Sequence, residues 1–183
     1  MIREDLGDGL ELALAVPQNA EALFELIDQN REHLRRWLPF VDATQDVGYT
    51  RDFLKDQLRG LAEERTLTLV LFHHGRAAGV LGVNRVDALN RVASLGYWLA
   101  AEATGQGLMT RAVRRLIEIV FENFPVDRIE VHCAPDNRAS CAIPERLGFT
   151  REAVLRQALR AHEHVDDRVI WGLLREEWEA ARK

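Results

Sequence analysis

From Leu10 to Val16 the chain alternates apolar with polar or small residues, the period of a half-buried strand, and Pro17 stops it. Leu23, Phe24, Leu26 and Ile27 then follow helical spacing. "NREHLRRWL" continues as a second helical piece closed by Pro39, and Asp46 to Glu64 carries Val47, Tyr49, Phe53, Leu54, Leu58 and Leu61 as a third. The texture changes at Thr66. "TLTLVLF" is β-rich, "HHGR" makes a turn and "AAGVLGVNRV" is the partner strand, so the three predict a hairpin, and "RVASLGYWLA" predicts a further strand. The helix that follows has the clearest period in the chain. Met109, Ala112, Val113, Leu116, Ile117, Val120, Phe121 and Phe124 fall on one face and Arg111, Arg114, Arg115, Glu118 and Glu122 on the other, so it must cover one face of a sheet. "RIEVHCA" is the next strand, "NRASCAIPERLGF" a short helix ending at Gly148, and "TREAVLRQALR" with "VDDRVIWGLL" a closing hairpin. No repeat, low-complexity segment or linker divides the chain, which predicts a single domain over residues 1–183.

Composition narrows the class. The 183 residues, 47% of them hydrophobic, suffice for one well-buried core and are few for two. The net charge is −5, with Arg and Lys scattered among Asp and Glu, so the basic stripe of a nucleic-acid binder is missing. Two cysteines, Cys133 and Cys141, are too few for a disulfide framework and favour a reducing cytosol. The N-terminus has no signal-type apolar run, and no stretch approaches the roughly 20 apolar residues that span a bilayer. The expectation is a cytoplasmic protein with no nucleic-acid or membrane partner.

Between the strand at "GYWLA" and the long helix lies Thr104-Gly105-Gln106-Gly107. A strand, a glycine-bearing turn and a helix start make an anion site, because backbone N–H groups are unpaired there and the helix dipole is positive. Arg111, Arg114 and Arg115 precede any acid in that helix, against the usual placement, which a bound polyanion would offset. The competing reading is a tight turn and nothing more. A Walker loop is excluded, since no Lys-Ser or Lys-Thr follows, and a dinucleotide fingerprint lacks its third glycine.

The spaced set Gly96-Tyr97-Trp98, Gly105-x-Gly107-x-Met109 and Asn137-x-x-Ser140-x-x-x-Pro144-Glu145-Arg146-x-Gly148-Phe149, with "NREHLRRWLPFVD" upstream, resembles the GNAT N-acetyltransferase superfamily and its RimJ/RimL-like subgroup of ribosomal-protein N-terminal acetyltransferases. The match covers essentially the whole chain. It implies an α+β (mixed α/β) GNAT fold: one twisted, mostly antiparallel sheet with helices on both faces, in which parallel strands 92–100 and 128–134 splay to admit the pantetheine arm of acetyl-CoA. It implies a diphosphate on the backbone of Gly105, Gln106, Gly107, Leu108, Met109 and Thr110, with Thr104 where relatives carry a Gln or Arg side chain. The donor carbonyl would meet a backbone N–H at Trp98 or Leu99, Asn137 would hold the pantetheine, and Ser140 would give or relay a proton to sulfur. Capping of the short helix is the alternative role for Asn137 and Ser140, while Pro144 frees the carbonyl of Ser140.

His33 and Trp37 are the implied substrate contacts, and the acceptor is a protein N-terminal α-amine or a small amine such as a polyamine, an aminoglycoside or an amino-acid analogue. A homodimer and a non-catalytic acyl-CoA sensor stay open. No general base stands out: Leu159 and Ser94 occupy positions where relatives carry glutamate, with Glu163 and His162 the nearest substitutes. That shortage tilts the acceptor toward α-amines. No metal is expected, the cluster His162, Glu163, His164, Asp166 and Asp167 reading as a solvated turn. Cys133 reads as a packed thiol rather than a nucleophile.

Overall fold

The computed structural model describes residues 3–182, so Met1, Ile2 and Lys183 of the expected domain lie outside it. One eight-stranded sheet runs in the order β1-β2-β3-β4-β5-β6-β8-β7. Its strands are β1 (Arg3–Asp5), β2 (Leu10–Leu14), β3 (Leu67–His73), β4 (Arg76–Asp87), β5 (Val92–Leu99), β6 (Arg128–Cys133), β7 (Thr150–Ala161) and β8 (His164–Leu174). All neighbours are antiparallel except β5 and β6. The helices are α1 (Ala20–Gln29), α2 (Arg31–Arg35), α3 (Phe40–Ala43), α4 (Val47–Ala62), α5 (Leu108–Asn123), α6 (Arg138–Arg146) and α7 (Arg175–Ala180). Among the described residues no helix is long and apolar enough to cross a membrane.

The apolar face of α5 is buried as its period predicts, with Ala112, Val113, Leu116, Ile117 and Val120 fully enclosed against Leu69, Leu81, Leu95 and Ile129 of the sheet. Truncating Leu116 or Ile117 to alanine would cost about 2–5 kcal/mol. On the opposite face, Ala20 and Leu23 of α1 and Leu54 of α4 pack on Val70 of β3, while Ile27, Leu34 and Val41 form a smaller cluster with Trp98. Asp46 caps α4 by accepting from Tyr49 N–H at 2.9 Å.

Three elements escape the sequence pattern. Strand β1 is an edge of three polar or charged residues, held by side chains instead of alternation: Arg3 pairs with Glu11, and Arg115 bonds Glu4 at 2.7 Å. Helix α3 forms beyond Pro39, its length of four residues too short to show a period. Helix α7 is likewise short, six residues long, and anchored by Trp178, 5% exposed.

The parallel pair opens partway. Pairing runs from Val92↔Arg128 to Leu95↔Val131 and stops there, while β5 stays paired with β4 through Leu99 and β6 with β8 through Cys133. On β4 the register slips between Val83 and Arg85, leaving Asn84 as a bulge beside Leu95 and Ser94. Bulges increase local twist. This one lies where β5 parts from β6, and it accounts for the divergence.

Candidate active site

Beyond Leu95 the two sides of β5 face different surroundings. Ala100 N–H donates to Ala78 O of the preceding hairpin at 2.8 Å. Successive N–H groups of a strand point to opposite edges, so the N–H groups of Tyr97 and Leu99 point into the opening between β5 and β6, where the ladder has ended. Of the expected pair, Leu99 rather than Trp98 therefore offers a backbone donor to the opening.

That opening is a cleft of about 320 Å³. It brings together Trp98, Leu99, Gly105, Gly107, Leu108, Met109, Thr110, Asn137 and Ser140, with His33 and Trp37 on its wall. Gln106 is turned away, its side-chain amide donating to Glu102 O at 2.8 Å, and Thr104 Oγ1 donates to Ala101 O at 2.7 Å. Both glycines of the turn have positive φ, +74° at Gly105 and +75° at Gly107, and an added Cβ would touch nothing at either. The requirement for glycine is thus conformational. Gly107 is also the N-cap of α5 and has no side chain to cap it, so the first N–H groups of that helix are left for an outside acceptor. These features fit a diphosphate.

The arginines of α5 do not serve that site. Arg111 donates to Leu6 O at 2.6 Å and Gly7 O at 3.1 Å and pairs with Asp8, Arg115 holds Glu4 and Glu118, and Arg114 lies over Trp178. They tie β1, the turn after it and α7 to α5, which corrects the polyanion reading of their placement. Arg146, quoted in the motif but given no role there, also lines the cleft.

At the other side of the cleft Asn137 Oδ1 accepts from Ser140 N–H at 3.1 Å. Capping of α6 is therefore its role through oxygen, and its amide nitrogen is left over as a donor beside the cleft. The carbonyl of Ser140, deprived of its helical donor by Pro144, accepts from Tyr97 Oη at 2.9 Å. Burial pushes the Tyr97 phenol far above its ordinary range, and it stays protonated.

Cys133 is buried with its Sγ 2.7 Å from Cys141 Sγ, and burial pushes its thiol up to about 12, so it carries no thiolate at neutral pH. His162 Nδ1 meets Asp42 at 2.9 Å. Among the described residues no group of three or more ligating side chains could hold a metal.

A second cleft of about 340 Å³ opens on the other face of β5, and it shares Leu38, Tyr97 and Trp98 with the first. Tyr49 and Phe53, which helical spacing groups with the apolar positions of α4, are instead 46% and 45% exposed and line this cleft. Thr44, Thr50, Gln57, Thr68 and Asn84 add neutral polar groups, and among the described residues no charged side chain lines it. Neither His33 nor Trp37 does. The two clefts thus meet at β5 around Tyr97 and Trp98, an arrangement that lets a group held in one be passed to a group held in the other.

The GNAT acetyltransferase domain family matches residues 10–150. A relative from Bacillus subtilis named putative ribosomal N-acetyltransferase YdaF is 33% identical and spans 97% of both chains. Among solved structures, RimL, an L7/L12 alpha-N-protein acetyltransferase in complex with coenzyme A, superposes with a TM-score of 0.90 at 25% identity, covering 94% of this chain and 98% of its own. The microcin C7 self-immunity acetyltransferase MccE, in complex with acetyl-CoA and AMP, gives 0.86 at 28% identity over 92% of this chain and 93% of its own. With the splayed strands, the uncapped helix mouth and these relatives in view, the chain belongs to the GNAT acetyltransferase family and is an acetyl-CoA-dependent N-acetyltransferase.

Proposed function

We propose that the acceptor is the N-terminal α-amine of a protein, entering through the second cleft, and that acetyl-CoA occupies the first. The observation that carries this reading is the second cleft's lining, which among the described residues is aromatic, aliphatic and neutral polar, without a carboxylate. A polyamine or aminoglycoside carries several cationic groups, and burying them against such a surface leaves each charge unpaired. An α-amine asks for less. Titrating near 7.7–8.0, it is neutral in about one molecule in seven at pH 7, against fewer than about one in a thousand for a lysine amine near 10.4. A site without a strong base therefore suits it. The names of the ribosomal N-acetyltransferase relatives support the same acceptor class.

In this reading acetyl-CoA supplies an activated acetyl thioester. The N–H groups of Leu108, Met109 and Thr110, presented by the Gly105–Gly107 turn, hold its diphosphate, and Asn137 Nδ2 donates to the pantetheine. Leu99 N–H is aimed where negative charge grows on the carbonyl oxygen, which makes it a donor that needs no reorganisation. Ser140, at the first turn of α6, gives a proton to the departing sulfur. His33 and Trp37 line the outer wall of the donor cleft, next to Leu38 where the two clefts join. Attack is direct, with no covalent enzyme intermediate, in keeping with the protonated Cys133.

The test is coenzyme A release on a panel of short peptides with free and with acetyl-blocked N-termini, alongside spermidine and an aminoglycoside. Turnover that depends on a free α-amine supports the reading. Turnover of the small amines with none on peptides overturns it, and tight acetyl-CoA binding with no turnover on any amine marks the chain as an acyl-CoA sensor.

A further inference from the structure

We infer that Tyr97 is a positioning residue for acyl transfer, its hydroxyl supplying the hydrogen bond that Pro144 denies to the Ser140 carbonyl and so fixing the start of α6 against β5. The inference rests on the reading of Ser140 and Asn137 given above.

The sequence separates the two partners by 43 positions, and the fold sets them on opposite banks of the donor cleft. Tyr97 rises from β5 on the same face as Ala93, Leu95 and Leu99, the face that packs on α5. Ser140 belongs to α6, which follows β6. Past Leu95↔Val131 no ladder joins these strands, so their separation must be set by side chains. With any residue other than proline at position 144, the amide of that residue would satisfy Ser140 O within the helix, and α6 would have no polar reason to hold a fixed distance from β5. Proline leaves that carbonyl without its helical donor, and the phenol 2.9 Å away fills the need. The cleft width at the reacting end is thus tied to one bond. Ser140 N–H, bonded to Asn137 Oδ1 at 3.1 Å, passes the constraint on to the pantetheine side of the cleft.

The structure also provides its own rescue. In Tyr97→Phe the carbonyl is stranded, whereas in Tyr97→Phe combined with Pro144→Ala the new Ala N–H can bond it within the helix. The wild type, the two single variants and the double variant form a cycle, read in two ways. The first is steady-state kinetics with acetyl-CoA and a short peptide bearing a free α-amine. Tyr97→Phe should lower kcat about tenfold while KM for acetyl-CoA stays within about a factor of two, and the double variant should regain most of the lost kcat. The second needs no acceptor: amide hydrogen exchange of Ser140 and Cys141 should speed up about tenfold in Tyr97→Phe and slow again in the double variant.

A merely structural tyrosine would lower thermal stability without separating kcat from KM, and adding Pro144→Ala would deepen the defect. Unchanged exchange in Tyr97→Phe, or a double variant no better than Tyr97→Phe, overturns the inference. Ser140→Ala, run beside the cycle, isolates the underlying reading. Full turnover in Ser140→Ala removes the proton donor while the exchange cycle still reports the Tyr97 contact, and a peptide that is not acetylated tests the acceptor alone.

Discussion

Replacing Gly107 by alanine separates what the turn costs the fold from what it gives the ligand. Gly107 sits at φ +75° as the N-cap of α5, and an added Cβ would meet no protein atom within 4 Å. The folded chain thus loses only the preference of an L-residue for negative φ, about 1 kcal/mol, which lowers the melting midpoint by about 2–4 °C in a chain of this size. Binding suffers more. Gly107 lines the first cleft together with Leu108, Met109 and Thr110, and the added methyl group would stand in open space there, in the way of a diphosphate on their N–H groups. Displacing a diphosphate from even one such charge-assisted bond forfeits about 1.5–3 kcal/mol, a weakening of roughly tenfold to a hundredfold. The assay compares coenzyme A with S-acetylpantetheine, which has the arm and the thioester but no diphosphate. Calorimetry should show the loss for coenzyme A, and kcat/KM with S-acetylpantetheine should hardly change. Equal losses for both, or undiminished coenzyme A binding, would refute the placement of the diphosphate.

Asn30 joins the α1–α2 corner to the end of β5, donating to Leu26 O and accepting from Ala101 N–H, both at 2.9 Å. Asn30→Ala strands both groups and should cost about 1–3 kcal/mol of stability by chemical denaturation, with unchanged stability counting against a structural bond there. Arg146→Ala should raise KM for acetyl-CoA several-fold and weaken the salt dependence of coenzyme A binding, since the cleft wall loses a cation; an unaltered salt slope would place Arg146 outside the phosphate's reach. The Cys133 thiol, raised by burial from 9.0 to about 12, makes stability depend on alkaline pH. Its contribution is complete below pH 9, and it is lost as the pH rises to about 12, because there the unfolded chain releases a proton that the folded one retains. Cys133→Ala should flatten that decline in denaturation midpoint, and a variant that tracks the wild type would contradict the buried thiol.

The elements legible in the sequence are those whose residues answer to one surface. Helix α5 is the clearest case: Ala112, Val113, Leu116, Ile117 and Val120 all meet the same sheet, so their period survives into the fold. The glycine turn was legible for a different reason, since two glycines at a helix start cost stability unless the backbone there has another use. By contrast β1 is built on ion pairs reaching from Arg115 to Glu4 across more than a hundred positions, which leaves no local pattern. The same holds for the clefts. The motif residues mark the first cleft in the sequence, whereas the second cleft assembles from α1, α3, α4, β3, β4 and β5 and exists only once they pack. Tyr49 and Phe53 share helical spacing with the buried Leu54, and spacing alone could not tell a cleft wall from a core. Tyr97 looked like part of a motif, and its bond to Ser140 depends on a proline 47 positions later that only the fold brings near.

Amide hydrogen exchange followed by NMR, with and without coenzyme A, most directly probes whether the parted strands and the uncapped helix mouth are where the donor is held. The N–H groups of Leu99, Leu108, Met109 and Thr110 should exchange quickly in the free protein and become strongly protected when coenzyme A is added, while those paired between β6 and β8 stay as they were. Saturating coenzyme A that leaves those four amides unprotected would contradict the assignment of this cleft to the donor.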